Sequence, residues 1–328
     1  MIQCCLDGIR TPDHHPALPV TATGVPDAAA ATGAADAADA AAVLRGPRHR
    51  DGAGWRRPRK HSRRERSLSE FTSYPHGTPS WVDLGTTDLA AAREFYGRLL
   101  GWSYEVGPPE TGHYTLCRLR DRNVAGMYEL MPELTAQGVP PNWMTYIDVD
   151  SADDAAKRIA EAGGEIVQPP MDVMDQGRVL VARDPSGAVF GCWQPGSHIG
   201  AQLANEPGTL TWNELLSRDV DAALRFYTTV FGHGTQQVEA GDQPYTLLTV
   251  ADHPIGGLMA MPAEVPAEVP SYWLTYFLVD DTDAAVATAR GGGGQVMYGP
   301  TDSPYGRMAI LADPQGAAVA VIAAPPQS

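Results

Sequence analysis

Cysteine is scarce: the 328-residue chain holds four, Cys4, Cys5, Cys117 and Cys192, and no CxxC pair. That is no disulfide framework, and it points to a reducing, cytoplasmic setting. No apolar run approaches the roughly 20 residues of a membrane span. The first residues lack a basic start followed by an apolar stretch, so they do not read as a secretory signal. Basic residues are also scarce over most of the length. Residues 1–72 hold 11 of the 24 Lys and Arg against 8 acids, leaving 13 against 31 in the remainder. The net charge of −15 therefore divides into a head of +3 and a body of −18. Such a body argues against nucleic acid or an anionic membrane as the main partner, because both need clustered Lys and Arg.

What is there falls into a head and a body. Residues 1–72 are dominated by Ala, Pro, Gly and Arg, with a low-complexity run over 27–42 and a basic stretch over 45–66. Too few large apolar groups are present to offset the entropy of ordering, so this head is expected to be disordered. The body carries an internal repeat. Trp81-x-Asp83-Leu84 recurs as Trp212-x-Glu214-Leu215, Asp88 as Asp219, Phe95-Tyr96 as Phe226-Tyr227, Gly101 as Gly232, Tyr114 as Tyr245 and Gly126 as Gly257, all displaced by 131. Trp143 and Tyr146 recur as Trp273 and Tyr276, and Gly177-Arg178 and Asp184-Pro185-x-Gly187 recur as Gly306-Arg307 and Asp313-Pro314-x-Gly316. Two copies at this spacing mean duplicated domains, not a solenoid. The expected division is a head over 1–72, a first module over 73–196, a linker over 197–207 and a second module over 208–325.

Within each module the pattern reads strand, helix and several strands, twice. Residues 80–86 alternate, with Val82 and Leu84 on one face and Trp81 and Asp83 on the other. Asp88 caps a helix striped by Ala91, Phe95 and Leu99, and Gly101 ends it. Strands follow near 114–119 and 124–130. A second cycle begins with a strand over 143–149 and a helix opened by Ser151-x-x-Asp154 and stopped at Gly163-Gly164. Strands near 178–182 and 188–194 close the module around the Asp184-Pro185-Ser186-Gly187 turn. Phe95-Tyr96 and Phe226-Tyr227 sit at core spacing and read as packing, Asp184 and Asp313 as turn residues, Arg178 and Arg307 as structural ion-pair partners. His233, at a helix exit, reads as exposed, and Cys117 and Cys192 as buried thiols.

A strand, an acid-capped helix carrying Phe-Tyr, a Gly at its end, then a second strand and helix and an Arg before Asp-Pro-x-Gly: this arrangement resembles the vicinal oxygen chelate superfamily of glyoxalases, bleomycin-resistance proteins and extradiol dioxygenases. The Trp-x-[Asp/Glu]-Leu motif, with Pro-x-Trp or Ser-Tyr-Trp before the middle strand, is similar to tandem glyoxalase-like proteins of high-GC bacteria. The resemblance implies an α+β fold of two tandem modules, each of paired βαβββ halves forming a cupped eight-stranded mixed sheet with its cavity on the concave face. Metal-dependent members place three N or O ligands at fixed strand positions, leaving coordination sites for adjacent substrate oxygens. Counting from the matched motifs, those positions hold Trp81, Met144 and Gly191 in one module and Trp212, Leu274 and Ala320 in the other, with no histidine near them. The usual metal triad is therefore expected to be absent.

Strand alternation turns Asp83 and Glu214 to the same face as Trp81 and Trp212, and Tyr146 and Tyr276 share parity with the vacated ligand positions. If that face is the cavity, Trp81, Asp83, Tyr146, Trp212, Glu214 and Tyr276 form a ligand-binding set of aromatic walls and carboxylates. The structural alternative is that these acids and phenols bond neighbouring loops. Two functions follow. The first is a metal-free protein binding a small aromatic or apolar metabolite or antibiotic, including cationic ones, for sequestration, resistance or an accessory step of secondary metabolism. The second is an enzyme of lyase, hydroxylase or dioxygenase type, either with Asp83 or Glu214 as general base or dependent on Fe, Mn, Ni or Zn held elsewhere; His113 and Glu129 are the one further candidate pair. A third reading is two closed modules with a purely structural role. No cofactor is expected under the first, and the modules are expected to pair within a monomer.

Overall fold

A computed structural model of the chain describes residues 70–240, 243–303 and 305–325. Most of the expected head, residues 1–69, and the expectation of disorder there lie outside them.

Local chemistry sets the first half-module. In β1 (Pro79–Thr86), Val82 and Leu84 turn to one side and are fully buried. The Asp88 side chain accepts from the Ala91 amide at 2.9 Å, satisfying a free donor at the start of α1 (Leu89–Leu100). Gly101 ends that helix in the left-handed region, φ 75°. β2 (Ser103–Val106), β3 (Thr115–Leu119) and β4 (Arg122–Glu129) complete the half, and the short α2 (Pro132–Ala136) leads away from it. The second half repeats the plan with β5 (Asn142–Asp148), α3 (Ala152–Glu161), β6 (Glu165–Val173), β7 (Gly177–Arg183) and β8 (Val189–Pro195). All eight strands form one mixed sheet in the order β2-β3-β4-β1-β5-β8-β7-β6.

The second module follows suit: β9 (Leu210–Ser217), α4 (Val220–Phe231), β10 (Gly234–Ala240), β11 (Gln243–Val250) and β12 (His253–Ala260), then β13 (Tyr272–Val279), α5 (Thr282–Gly291), β14 (Gln295–Ser303), β15 (Gly306–Ala312) and β16 (Ala318–Ala323). Its sheet order is β10-β11-β12-β9-β13-β16-β15-β14. The fold is α+β with two tandem eight-stranded modules. Among the described residues no helix is long and apolar enough to cross a membrane.

The modules share their cores crosswise. Leu84, Phe95 and Met127 of the first half of module one cluster with Phe277, Val286 and Leu311 of the second half of module two. Ile147, Ile159 and Phe190 cluster reciprocally with Phe226, Leu258 and Trp273. Phe95-Tyr96 and Phe226-Tyr227 therefore pack as expected, but across the seam and with a polar role besides. Tyr96 accepts from Trp143 Nε1 at 2.9 Å and donates to Asp313 Oδ2 at 3.1 Å. Tyr227 accepts from Trp273 Nε1 at 2.9 Å and donates to Asp184 Oδ2 at 3.0 Å. Asp184 and Asp313 hold their turns with Oδ1, which accepts from the Ala188 and Ala317 amides, and reach the other module with Oδ2.

Two expectations differ from what the structure holds, at His233 and at Glu70–Phe71. His233 is buried: its Nε2–H donates to the Gly77 carbonyl at 2.7 Å and its ring stacks on Tyr227 and Phe231, because the seam covers the helix exit. The span read as a linker packs against the first module, the Ala201 amide donating to Ser80 O at 2.8 Å and Leu203 being buried. Glu70 and Phe71, assigned to the head, pair with that same span at Leu203 and Gln202. Arg178 and Arg307 do form surface ion pairs, to Asp153 and Asp172 and to Asp283 and Asp302.

Candidate functional site

The face of each sheet opposite its helices carries the candidate residues. Asp83 lies opposite Gly126 on β4 and Met144 on β5, Trp81 opposite Tyr146, and Tyr146 opposite Gly191 on β8. Residues paired across neighbouring strands share a face. Trp81, Asp83 and Tyr146 are thus brought together, and the matching register of β9, β13 and β16 gathers Trp212, Glu214 and Tyr276.

Each acid meets a tyrosine that the sequence reading recorded only as part of the repeat. Tyr114 donates to Asp83 Oδ2 at 3.1 Å and accepts from Trp81 Nε1 at 2.9 Å. Tyr245 donates to Glu214 Oε1 at 2.8 Å and accepts from Trp212 Nε1 at 3.0 Å. Gly126 and Gly257 make room for these phenols, since a methyl built on either would overlap the Tyr114 or Tyr245 hydroxyl. The common Tyr-to-Gly spacing, 114 to 126 and 245 to 257, was the signal for this pairing.

The acids differ in how far they are satisfied. Glu214 also accepts from Tyr276 at 2.8 Å, so both its oxygens are used. Asp83 is 2 % exposed, and its Oδ1 has no hydrogen-bond partner. Burial pushes the Asp83 carboxyl up to about 7, although the Tyr114 hydrogen bond and the nearby Tyr146 phenol, which closes no hydrogen bond of normal geometry on Oδ1, draw it back. Burial also raises Glu214, against the pull of Tyr245 and Tyr276. The tyrosines are themselves pushed upward by burial and by the neighbouring acid, so they stay protonated donors.

Further along the first module's face, Trp81 and Trp193 hold the His198 ring edge-on, at centroid distances of 4.5 and 5.6 Å. Trp193 Nε1 donates to the His198 carbonyl at 2.8 Å. Burial lowers the His198 imidazole to about 4. Nothing in the sequence flagged His198, which reaches this face only because the inter-module span folds back over it. His113 is exposed, with Nδ1 facing the Gly107 carbonyl at 3.3 Å, and no hydrogen bond or ion pair joins it to Glu129. Cys117 and Cys192 are buried thiols, their pKa values raised by burial.

The positions that the family resemblance assigns to metal ligands do not fit an ion here. Trp81, Met144, Gly191, Trp212, Leu274 and Ala320 offer no imidazole or carboxylate. The space a third ligand would need beyond Gly191 is taken by the Tyr146 ring, which a Cβ there would overlap. Among the described residues no group of three or more His, Cys, Asp or Glu is placed to hold a metal.

Similarity to known proteins follows the same outline. Residues 78–191 and 209–321 each match the family model of the Glyoxalase/Bleomycin resistance protein/Dioxygenase superfamily. CFP32 of Mycobacterium tuberculosis, which carries the name of a glyoxylase, is 44 % identical over 265 residues, covering 79 % of this chain and all of its own length. The anthracycline biosynthesis protein DnrV of Streptomyces peucetius is 34 % identical over 263 residues, covering 77 % of this chain and 95 % of its own. Among solved structures, the Mn(II)-bound glyoxalase of Novosphingobium aromaticivorans superposes with a TM-score of 0.54 at 16 % identity, covering 76 % of this chain and 82 % of that one. The 2,2',3-trihydroxybiphenyl 1,2-dioxygenase of Sphingomonas wittichii gives 0.55 at 16 % identity, covering 76 % and 91 %. These two likenesses concern the fold alone. The repeated sheet, its register and the double match of the family model place the chain in the Glyoxalase/Bleomycin resistance protein/Dioxygenase superfamily.

Proposed function

We propose that this protein binds a small, flat, largely aromatic or apolar metabolite on a helix-free sheet face, without a metal, as a sequestering or accessory step of secondary metabolism. The carrying observation is the Asp83 carboxyl, buried yet with one oxygen unpartnered, beside the aromatic groups of Trp81 and Tyr146. A buried polar atom without a partner is costly, so a ligand that donates to it recovers energy the empty fold forgoes. The likeness to DnrV, named for anthracycline biosynthesis, supports an aromatic product of secondary metabolism as ligand. The crosswise cores support a monomer, because one chain already covers both halves of each, and the free thiols of Cys117 and Cys192 support a reducing, cytoplasmic setting.

Titration with an anthracycline, read by quenching of tryptophan emission, tests the reading. Saturable binding that is lost in the Trp81→Ala, Trp212→Ala double variant is expected; absence of saturable binding in the parent protein overturns it. Near-stoichiometric Fe, Mn, Ni or Zn in the purified protein, lost in Asp83→Ala or His113→Ala, would overturn the metal-free part.

A second reading rests on the carboxyl pushed up to about 7, where a group exchanges protons readily near neutrality. Asp83 would then serve as general base toward an acidic C–H or O–H of the bound molecule. Turnover that disappears in Asp83→Asn while binding persists would favour this enzyme over a binding protein.

A further inference from the structure

The two modules differ on their helix-free faces in how their polar atoms are satisfied, and the first is also covered by the inter-module span, which buries Trp81 where Trp212 is half-exposed. In the second, both oxygens of Glu214 are occupied, Ala320 lies opposite Tyr276, and Leu216, Met259, Leu274 and Met308 pack together over the sheet. In the first, the acid is one methylene shorter and keeps Oδ1 free. Gly191 stands where the second module has Ala320, and the Tyr146 ring lies against its bare backbone. Asp148 stands where the second module has Leu278. Asp148 is 3 % exposed, its Oδ2 is unpartnered, and so is Oγ1 of Thr78, whose carbonyl accepts from the Asp148 amide at 2.8 Å.

The two free carboxyl oxygens lie on one face. Asp83 is paired with Met144 on β5, and Asp148 lies four residues further along that strand. At roughly 3.3 Å per residue along β5 and about 4.8 Å across to β1, the two backbone positions are about 14 Å apart. Trp81 and Trp193, opposite Tyr146 and Asp148 in the strand register, line the interval, and His198 is the side chain lodged between their rings. No hydrogen bond holds the His198 imidazole among the described residues, and burial lowers it to about 4, so it sits there neutral, as a flat group against aromatic walls.

Building on the small-molecule reading, we propose that the first module alone is the binding module. Its ligand is an elongated flat aromatic molecule with a hydrogen-bond donor at each end, one for Asp83 Oδ1 and one for Asp148 Oδ2, whose ring system replaces the His198 imidazole. With the two side chains standing side by side on the sheet, subtracting two hydrogen bonds of about 2.9 Å leaves about 8 Å between the donor atoms, the scale of a naphthalene substituted at opposite ends.

The test compares 2,6-diaminonaphthalene, 2-aminonaphthalene and naphthalene by calorimetry and tryptophan quenching. Each donor is expected to tighten binding about tenfold. Asp148→Leu, which copies the second module, should erase the advantage of the second amine and leave the monoamine unchanged. Asp83→Glu copies the second module's longer acid and should abolish binding while circular dichroism stays that of the parent. A diamine no tighter than the monoamine overturns the two-donor ligand. Anthracycline binding that survives Asp83→Glu but is lost in Glu214→Gln overturns the choice of module and leaves the broader reading standing. If neither the naphthalenes nor the anthracycline bind, both fail together.

Discussion

The Tyr96 hydroxyl in the first module donates to Asp313 of the second at 3.1 Å, and Tyr227 returns the contact to Asp184 at 3.0 Å. Each bond joins a helix of one copy to the Asp-Pro-x-Gly turn of the other. Each phenol is fully buried and also accepts from an indole, so it has no solvent to fall back on.

Tyr96→Phe leaves Asp313 Oδ2 and the Trp143 N–H without a partner inside the seam. A loss of about 2–4 kcal/mol is expected, read from the urea midpoint at unchanged slope. Tyr227→Phe should match it, and a loss below about 0.5 kcal/mol in either variant would show that the seam does not depend on these bonds.

Asp83 gives the stability a definite pH component. Its folded pKa of about 7 stands above the ordinary value of 3.8, so between those values the folded state holds a proton the unfolded chain has released. Its contribution is present in acid and falls as pH rises toward 7, by about 1.4 kcal/mol per unit. Asp83→Asn, uncharged throughout, should gain on the parent between pH 5 and pH 8 in denaturation experiments. A constant difference would mean that the carboxyl is not buried in solution.

His233 acts in the opposite sense. Burial lowers it from 6.5 to about 4, so the unfolded chain binds the proton first and stability is lost as pH falls from about 6.5 toward 4. His233→Phe keeps the stack on Tyr227 and Phe231 but gives up the bond to Gly77. It should be about 1 kcal/mol less stable than the parent at pH 8, with the gap closing on acidification. A gap that widens in acid would contradict the burial.

His198→Ala removes the ring between Trp81 and Trp193. Tryptophan emission should shift to the red as water reaches the indoles, and affinity for flat aromatic probes should rise several-fold because no side chain must be displaced. Unchanged emission would show that His198 does not shield these walls in solution.

How much of this was legible in the sequence differs residue by residue. The duplication, the Asp88 cap and the two-sided character of β1 are local patterns, and the helix and strand that they imply are present. The edge strands β2, β6, β10 and β14 were not seen as separate elements, because a strand exposed on its outer side carries little alternation and Pro169-Pro170 interrupts β6. Trp81, Asp83 and Tyr146 could be assigned to one face by parity. The free Asp83 oxygen could not, since it turns on whether a phenol from β5 completes a hydrogen bond. His233 and His198 were illegible for different reasons: His233 is buried at the seam by chain remote in sequence, and His198 is carried onto the Trp81 face by the span that folds back over it.

The crosswise cores bear on where the protein can be divided. The repeat marks a boundary near residue 200, yet Leu84 shares one core with Phe277 and Ile147 another with Trp273. Neither copy owns a complete interior, so no partly unfolded species with one copy intact is available at moderate cost, and melting should be a single transition. A chain cleaved between the copies should stay together as a tight pair. The duplication thus works as a permanently tethered dimer, in which one sheet face is free to diverge while the other remains as its scaffold.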